Sequence, residues 1–366
     1  MSKNIRNFIR GDIFDWLVQN SVDPGQFAGG RREDFWIRPF ATKEVKPTEE
    51  EKQLIARFNS TKVTSQQEVD LWCFRIVNES GARQVMIANR RGSFETNQES
   101  FLFPFEIGKS TFLQRLDFVI GMKIPAVRPI PTRVLLSALT SKEPIFEADL
   151  EDYLPKVETW SLSADDSTRV EGDRVLVSKV LVNLEIDNAL VRQNGLEFAE
   201  LAVTLPEKDH DWLFEQLYFA ISCRRPEHLY LALYRIFEFF FPMKGLLSLK
   251  AQLEFTGSML QLREYCRTSL NWNVNHQYGA RAAADYCGAA FAKLCLDREL
   301  AVDADEDTVR KLKIDAIEKI TELRHRLSHQ TFNKEVVTSD DLGKKIRAIL
   351  SLLIELFGQY VGVTEV

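Results

Sequence analysis

Cysteine is scarce and unpatterned in this chain. Cys73, Cys223, Cys266, Cys287 and Cys295 are scattered, odd in number and show no C-x-x-C spacing. That excludes a disulfide framework and predicts reduced, mostly buried thiols in a cytosolic protein. Long apolar runs are missing too. The most apolar stretch, Leu229 to Phe241, carries Arg235 and Glu238 and is too short to span a bilayer, so it is expected to be a buried helix and no membrane contact is expected. The start, MSKNIRNFIRGDIFDW, has charges but no apolar h-region, which argues against a signal peptide. A basic excess is also absent. The net charge of −6 excludes a broad polyanion-binding surface and confines any nucleic-acid contact to a local patch.

What is present is ordinary globular material: 366 residues, 45% hydrophobic and 27% charged, with 25 phenylalanines for an aromatic-rich core. The length suits two domains. Pro206 and the charged run Glu207–Asp211 mark a boundary near 208/209. The expected fold class is α+β: a β-rich mixed domain over 1–208, followed by an all-α bundle over 209–366.

In the first part, Thr48-Glu49-Glu50-Glu51 reads as a capping box opening a short helix. From Val69 the periodicity falls to two. Strands are expected at Asp70–Val77, Gln84–Ala88, Phe101–Ile107, Phe112–Ile120 and Arg133–Leu136. A hairpin is expected from Val180–Ile186 and Ala199–Leu205, turning at Asn194-Gly195. Gly108-Lys109-Ser110-Thr111 resembles the end of a phosphate-binding loop, but Phe103 stands where the motif needs glycine, so Lys109 reads as a turn lysine. Asp165, Asp166 and Asp173 lack metal-ligand spacing and read as a solvated loop. No catalytic constellation is visible in this half.

In the second part the pattern is helical almost throughout. Helices are expected from Trp212, over Leu229–Phe241, Leu249–Leu270, Gln277–Leu300 and from Val309, with a last one over Asp340–Val361. The helix from Val309 has an apolar stripe of Val309, Leu312, Ala316, Ile320, Leu323 and Leu327. It ends in Arg324-His325-Arg326-Leu327-Ser328-His329, which holds two of the chain's five histidines.

An arginine, a hydroxyl and two histidines in six residues suit the gripping or cleavage of a phosphodiester. Cations at a helix C-terminus are also favoured for electrostatic reasons alone, by about 0.3–1 kcal/mol each. Arg324 lies at the edge of the apolar stripe, where a guanidinium wants an anionic partner. On a straight helix Arg324 and His329 point about 140° apart. They converge only if the helix ends between them or if two chains bring their motifs together. A metal reading uses His325 and His329 at i, i+4, with Glu322 and a further ligand such as His276 or His210.

The segment Thr321-Glu322-Leu323-Arg324-His325-Arg326-Leu327-Ser328-His329 resembles the signature of the HEPN superfamily, an arginine and a histidine with four residues between them late in a helical bundle. Leu233-Tyr234-Arg235-Ile236-Phe237-Glu238 in an early helix fits as well. His325 stands where the family usually has asparagine. The resemblance covers about 209–362. It implies a metal-independent RNA endonuclease, working as a homodimer in prokaryotic antiviral defence or as a toxin-like effector. His329 would be the general acid/base, Arg324 would hold the phosphate and stabilise the transition state, and His325 would orient the scissile phosphate. Arg326 and Ser328 would line the substrate. RNA is the expected partner, no cofactor or metal is expected, and the N-terminal domain would receive a trigger or regulatory protein. A non-catalytic binding module and a metal-dependent hydrolase are the alternatives.

Overall fold

Helices dominate even where the sequence alternates with period two. The computed structural model describes residues 8–27, 37–38, 63–64, 72–79, 82–89, 106–108, 112–140, 145–162, 172–206, 211–270, 276–299, 301, 304–329 and 339–364. The expected helix at Thr48, most of the strand at Phe101, Lys109 and Asp165-Asp166 lie outside them. The chain divides into two compact units, Met1–Thr96 with Pro104–Val170, and Asn97–Phe103 with Glu171–Val366. Residues 171–206 therefore group with the C-terminal helices, below the expected boundary at 208.

The first unit is mixed. Its strands are β1 (Ile37–Arg38), β2 (Val63–Thr64), β3 (Trp72–Glu79), β4 (Ala82–Asn89), β5 (Glu106–Gly108), β6 (Ile145–Phe146) and β7 (Val157–Leu162). A five-stranded antiparallel sheet runs in the order β2-β3-β4-β7-β5, and β1 pairs β6 in parallel. The expected strands near 70–77 and 84–88 are β3 and β4, joined as a hairpin from Glu79↔Ala82 to Trp72↔Asn89. Its α-helices are α1 (Phe14–Gln19), α2 (Phe112–Gly121), α3 (Thr132–Thr140) and α4 (Glu147–Leu150). Segments 112–120 and 133–136, expected as strands, are thus helices α2 and α3. Phe112, Leu113, Leu116, Phe118 and Val119 share one core with Trp16 and Leu17. The Trp16 indole N–H donates to the Ile124 carbonyl at 2.9 Å, which satisfies the one polar atom of a large buried ring.

The second unit is a helical bundle: α5 (Asp173–Leu184), α6 (Ala189–Thr204), α7 (Asp211–Ile221), α8 (Pro226–Phe237), α9 (Met243–Gln252), α10 (Met259–Leu270), α11 (His276–Ala282), α12 (Ala290–Leu296), α13 (Glu306–His329) and α14 (Ser339–Thr364). The hairpin expected across 180–205 is α5 and α6 instead. Val180 to Ile186 are all buried, the polar Asn183 and Glu185 included. A helix buried all round shows no amphipathic period, so its alternation carried no signal. Asn194-Gly195 makes no turn. It is a kink inside α6, where Asn194 leaves helical geometry and its amide donates to the Leu190 carbonyl at 2.8 Å.

Helix α14 is the centre of this unit and packs on α6, α8 and α12. Ile346, Ile349, Leu350, Leu353 and Phe357 are fully buried. Phe357 stacks on Phe239 at 5.8 Å and meets the edge of Phe240 at 4.6 Å, just beyond α8. The single helix expected over Gln277–Leu300 is instead divided between α11 and α12, and its small residues pack closely. Ala280, Ala283 and Ala284 are buried, and a Cβ on Gly279 would stand 2.7 Å from the Phe241 carbonyl oxygen. Cys223, Cys266, Cys287 and Cys295 are free and buried, and burial pushes the Cys287 thiol up to about 12. No described helix is long and apolar enough to cross a membrane.

Replacing a fully buried α14 side chain removes contacts that the bundle cannot refill. Leu353→Ala should lower the unfolding free energy by about 2–5 kcal/mol in urea titration. Leu253→Ala, at a 62% exposed position, should change it by less than about 0.5 kcal/mol.

Candidate active site

Helix α13 presents its stripe to α8, α11 and α12. Leu312, Ala316, Ile317, Ile320 and Leu323 are buried, which matches the periodicity of the sequence. What fixes its rotation is a ladder of polar tips. Tyr230, Tyr234 and Glu238 recur every four residues along α8 and its 3-10 extension, and face α13. The Tyr230 hydroxyl donates to the Ile320 carbonyl at 2.7 Å inside the core. In an α-helix that carbonyl also accepts the Arg324 amide, so the tyrosine clamps the turn that carries Arg324. One turn on, the Tyr234 hydroxyl lies 3.4 Å from the Thr321 hydroxyl, a long and weak hydrogen bond. Next, an Arg324 Nη stands 3.4 Å from a Glu238 Oε, and the guanidinium sits over the Tyr234 ring at 5.7 Å.

This answers where the anionic partner of Arg324 is: it is intramolecular. The pair is loose. Charge-assisted N–H···O contacts normally close to 2.7–2.9 Å, and both side chains keep partial exposure, 30% for Arg324 and 26% for Glu238. An ion pair of that kind is worth about 0.2–1 kcal/mol. Glu238 therefore neutralises Arg324 without locking it, and an incoming phosphate can compete.

Burial raises the hydroxyl of Tyr230 well above its ordinary value, with nearby acidic groups adding to it. Burial also raises Tyr234, against a lowering hydrogen bond with Thr321. Both phenols are thus neutral at physiological pH, as donors must be.

The remaining motif residues spread round the helix. His325 and Ser328 are exposed, and Arg326 and Leu327 are half-buried. Helix α13 continues to His329 without a break, although the His329 side chain is outside the description. Of the two ways to bring Arg324 and His329 together, the helix ending between them is therefore corrected. Within one chain, positions 324 and 329 lie about 140° apart round an α-helical axis, and position 325 about 100° from 324. For the metal reading, positions 325 and 329 are about one turn apart on α13. Among the described residues no three His, Cys, Asp or Glu side chains gather as a metal site would need, and the side chains of His210, His276 and His329 are not among them.

Reading the sequence missed Glu238, Tyr230 and Tyr234 as the setting of Arg324. Their four-residue spacing inside a largely apolar run was the available signal. It also missed a cleft beside them. About 560 Å³ is bounded by Trp212, Gln216, Arg235, Glu238, Phe239, Arg263, Glu264 and Arg267. No family model, curated protein or solved structure matches the chain.

The Tyr230 clamp has a measurable signature. Tyr230→Phe should lower the unfolding free energy by about 0.5–1.5 kcal/mol near neutrality. The folded-state value of Tyr230 lies above the unfolded one near 10.0. Its contribution is therefore complete below pH 10 and is lost as pH rises towards the folded-state value. Urea titrations should show a constant gap between wild type and Tyr230→Phe from pH 7 to 9, narrowing above 10.

Proposed function

We propose that the C-terminal bundle is a metal-independent RNA endonuclease of HEPN type that acts as a homodimer. The observation that carries this reading is the unbroken course of α13. A helix that continues through Arg324 to His329 cannot close a site by itself, and a two-fold axis beside the helix end supplies the missing half. In that arrangement Arg324 of one copy holds the scissile phosphate and stabilises the charge that develops on it, leaving its weak pair with Glu238. His329 of the other copy moves the proton of the RNA 2′-hydroxyl or of the leaving oxygen, for which imidazole has the right basicity. Exposed His325 orients the phosphate by hydrogen bonding, and Arg326 and Ser328 line the strand. The attacking group is the RNA's own 2′-oxygen, so the products are a 2′,3′-cyclic phosphate and a 5′-hydroxyl.

The resemblance of Thr321–His329 to the HEPN signature supports the same chemistry, and by analogy alone it points to cytosolic antiviral defence or a toxin-like effector. The first unit would receive the trigger or regulatory protein.

One observation favours a second reading, a non-catalytic binding module. Arg324 already has a carboxylate beside it, so its charge has a structural use. The two readings part on cleavage. Purified protein should cut single-stranded RNA in the presence of a chelator and leave cyclic-phosphate ends. His329→Ala and Arg324→Ala should each lower the rate by about 10²-fold or more. Cleavage unchanged by His329→Ala would contradict the nuclease reading.

A further inference from the structure

The cleft beside Glu238 belongs to none of the residues assigned above except Glu238 itself. Its walls come from α7 (Trp212, Gln216), from α8 and its extension (Arg235, Glu238, Phe239) and from α10 (Arg263, Glu264, Arg267). Three arginines face two carboxylates, in a chain whose net charge is −6. Both carboxylates are engaged. Glu264 accepts two hydrogen bonds from Arg267, at 2.7 and 3.0 Å, and these hold its carboxyl below the ordinary value. Glu238 stands against Arg324. Arg235 is exposed and has no carboxylate partner among the described residues. Arg263 lies over the Phe239 ring at 5.9 Å. The half-exposed Trp212 indole lies 6.0 Å from the Phe239 ring at a 46° tilt.

We infer that this cleft binds one nucleotide of single-stranded RNA, as an anchoring subsite next to Arg324. The inference rests on the nuclease reading for the choice of RNA as the polymer. The chemistry of the walls selects the ligand class. Guanidinium groups from two helices match a phosphate, for which arginine offers a planar, permanently charged fork. A tryptophan face offers stacking to a base, and a base is free to stack only when it is unpaired. Ionised carboxylates and the Gln216 amide suit the amino and imino donors on a base edge. A simple anion would use only the arginines and would be repelled by Glu238 and Glu264. A duplex would keep its bases from Trp212.

The position gives the cleft a role. Glu238 both lines it and holds Arg324, so a strand anchored there brings the next phosphate to the arginine that must release Glu238. Local arginines in an acidic protein also make binding specific to this patch rather than spread over the surface.

The test measures equilibrium binding with a probe that cannot be cut. Fluorescein-labelled single-stranded RNA carrying 2′-O-methyl groups throughout lacks the attacking hydroxyl, so its anisotropy reports binding by the full-length protein without cleavage. Arg235→Glu and Arg263→Gln should each weaken binding by about tenfold and flatten its salt dependence by about one phosphate contact. Arg298→Glu makes the same charge change at an exposed arginine elsewhere in this unit and should alter affinity less than about twofold. Trp212→Leu should weaken binding by about tenfold, while adenosine monophosphate should compete with the probe. Arg235→Glu and Arg263→Gln binding as wild type does would overturn the inference, and so would Arg298→Glu weakening as much as Arg235→Glu. Cleavage by the wild type with the cleft variants binding normally would remove the subsite and leave the nuclease reading standing. Weakened binding in a protein that never cuts RNA would do the reverse.

Discussion

One buried hydrogen bond sets the geometry on which the functional account depends. The Tyr230 hydroxyl reaches the Ile320 carbonyl at 2.7 Å and ties α8 to α13 in one register. A rotation of α13 by one residue would move Arg324 by about 100° and break its contacts with Glu238 and Tyr234 together. The apolar stripe alone does not give that precision, because apolar packing is non-directional. A phenol aimed at a single carbonyl is directional, and the bond satisfies the buried Tyr230 hydroxyl. The core fixes which face of α13 is inside, and the tyrosine fixes where on the rim Arg324 emerges.

From that rim the electrostatics follow. The protein is acidic, yet arginines from α8, α10 and α13 stand around Glu238. One carboxylate thus sits between a helix-end arginine and a cleft with three more. Its contact with Arg324 is too long for a strong charge-assisted bond and too sheltered to be nothing. A weak internal partner of this kind keeps an arginine ordered and soluble while leaving it available to a phosphate. The same geometry explains why Arg324 half-turned into an apolar face costs little: the face there ends in Tyr234, whose ring receives the cation.

How much of this was legible in the sequence depends on the exposure pattern of each segment. Helix α13 was, because one side is wet and its stripe from Leu312 to Leu327 keeps helical spacing. So were α14 and the β3–β4 hairpin. Segment 180–205 was not. Val180, Val182, Leu184 and Ile186 alternate, but Leu181, Asn183 and Glu185 between them are equally buried, so period two meant nothing there. Phe112–Ile120 failed for the same reason. Arg324 was legible as an arginine needing an anion. That the anion is Glu238 was not, since the pairing spans 86 residues and depends on the α8–α13 register. The cleft was invisible because its arginines come from separate helices, with nothing in their spacing to join them.

The central claim is that the site forms between two copies, with Arg324 from one α13 and His329 from the other. Mixing two inactive variants tests it most directly. Arg324→Ala and His329→Ala proteins should each be inactive alone. Co-refolded in equal amounts, half of the dimers carry both variants, and each of these regains one intact site of two. RNA cleavage should then return to about a quarter of the wild-type rate. A mixture that forms dimers but stays as inactive as either variant would contradict the account.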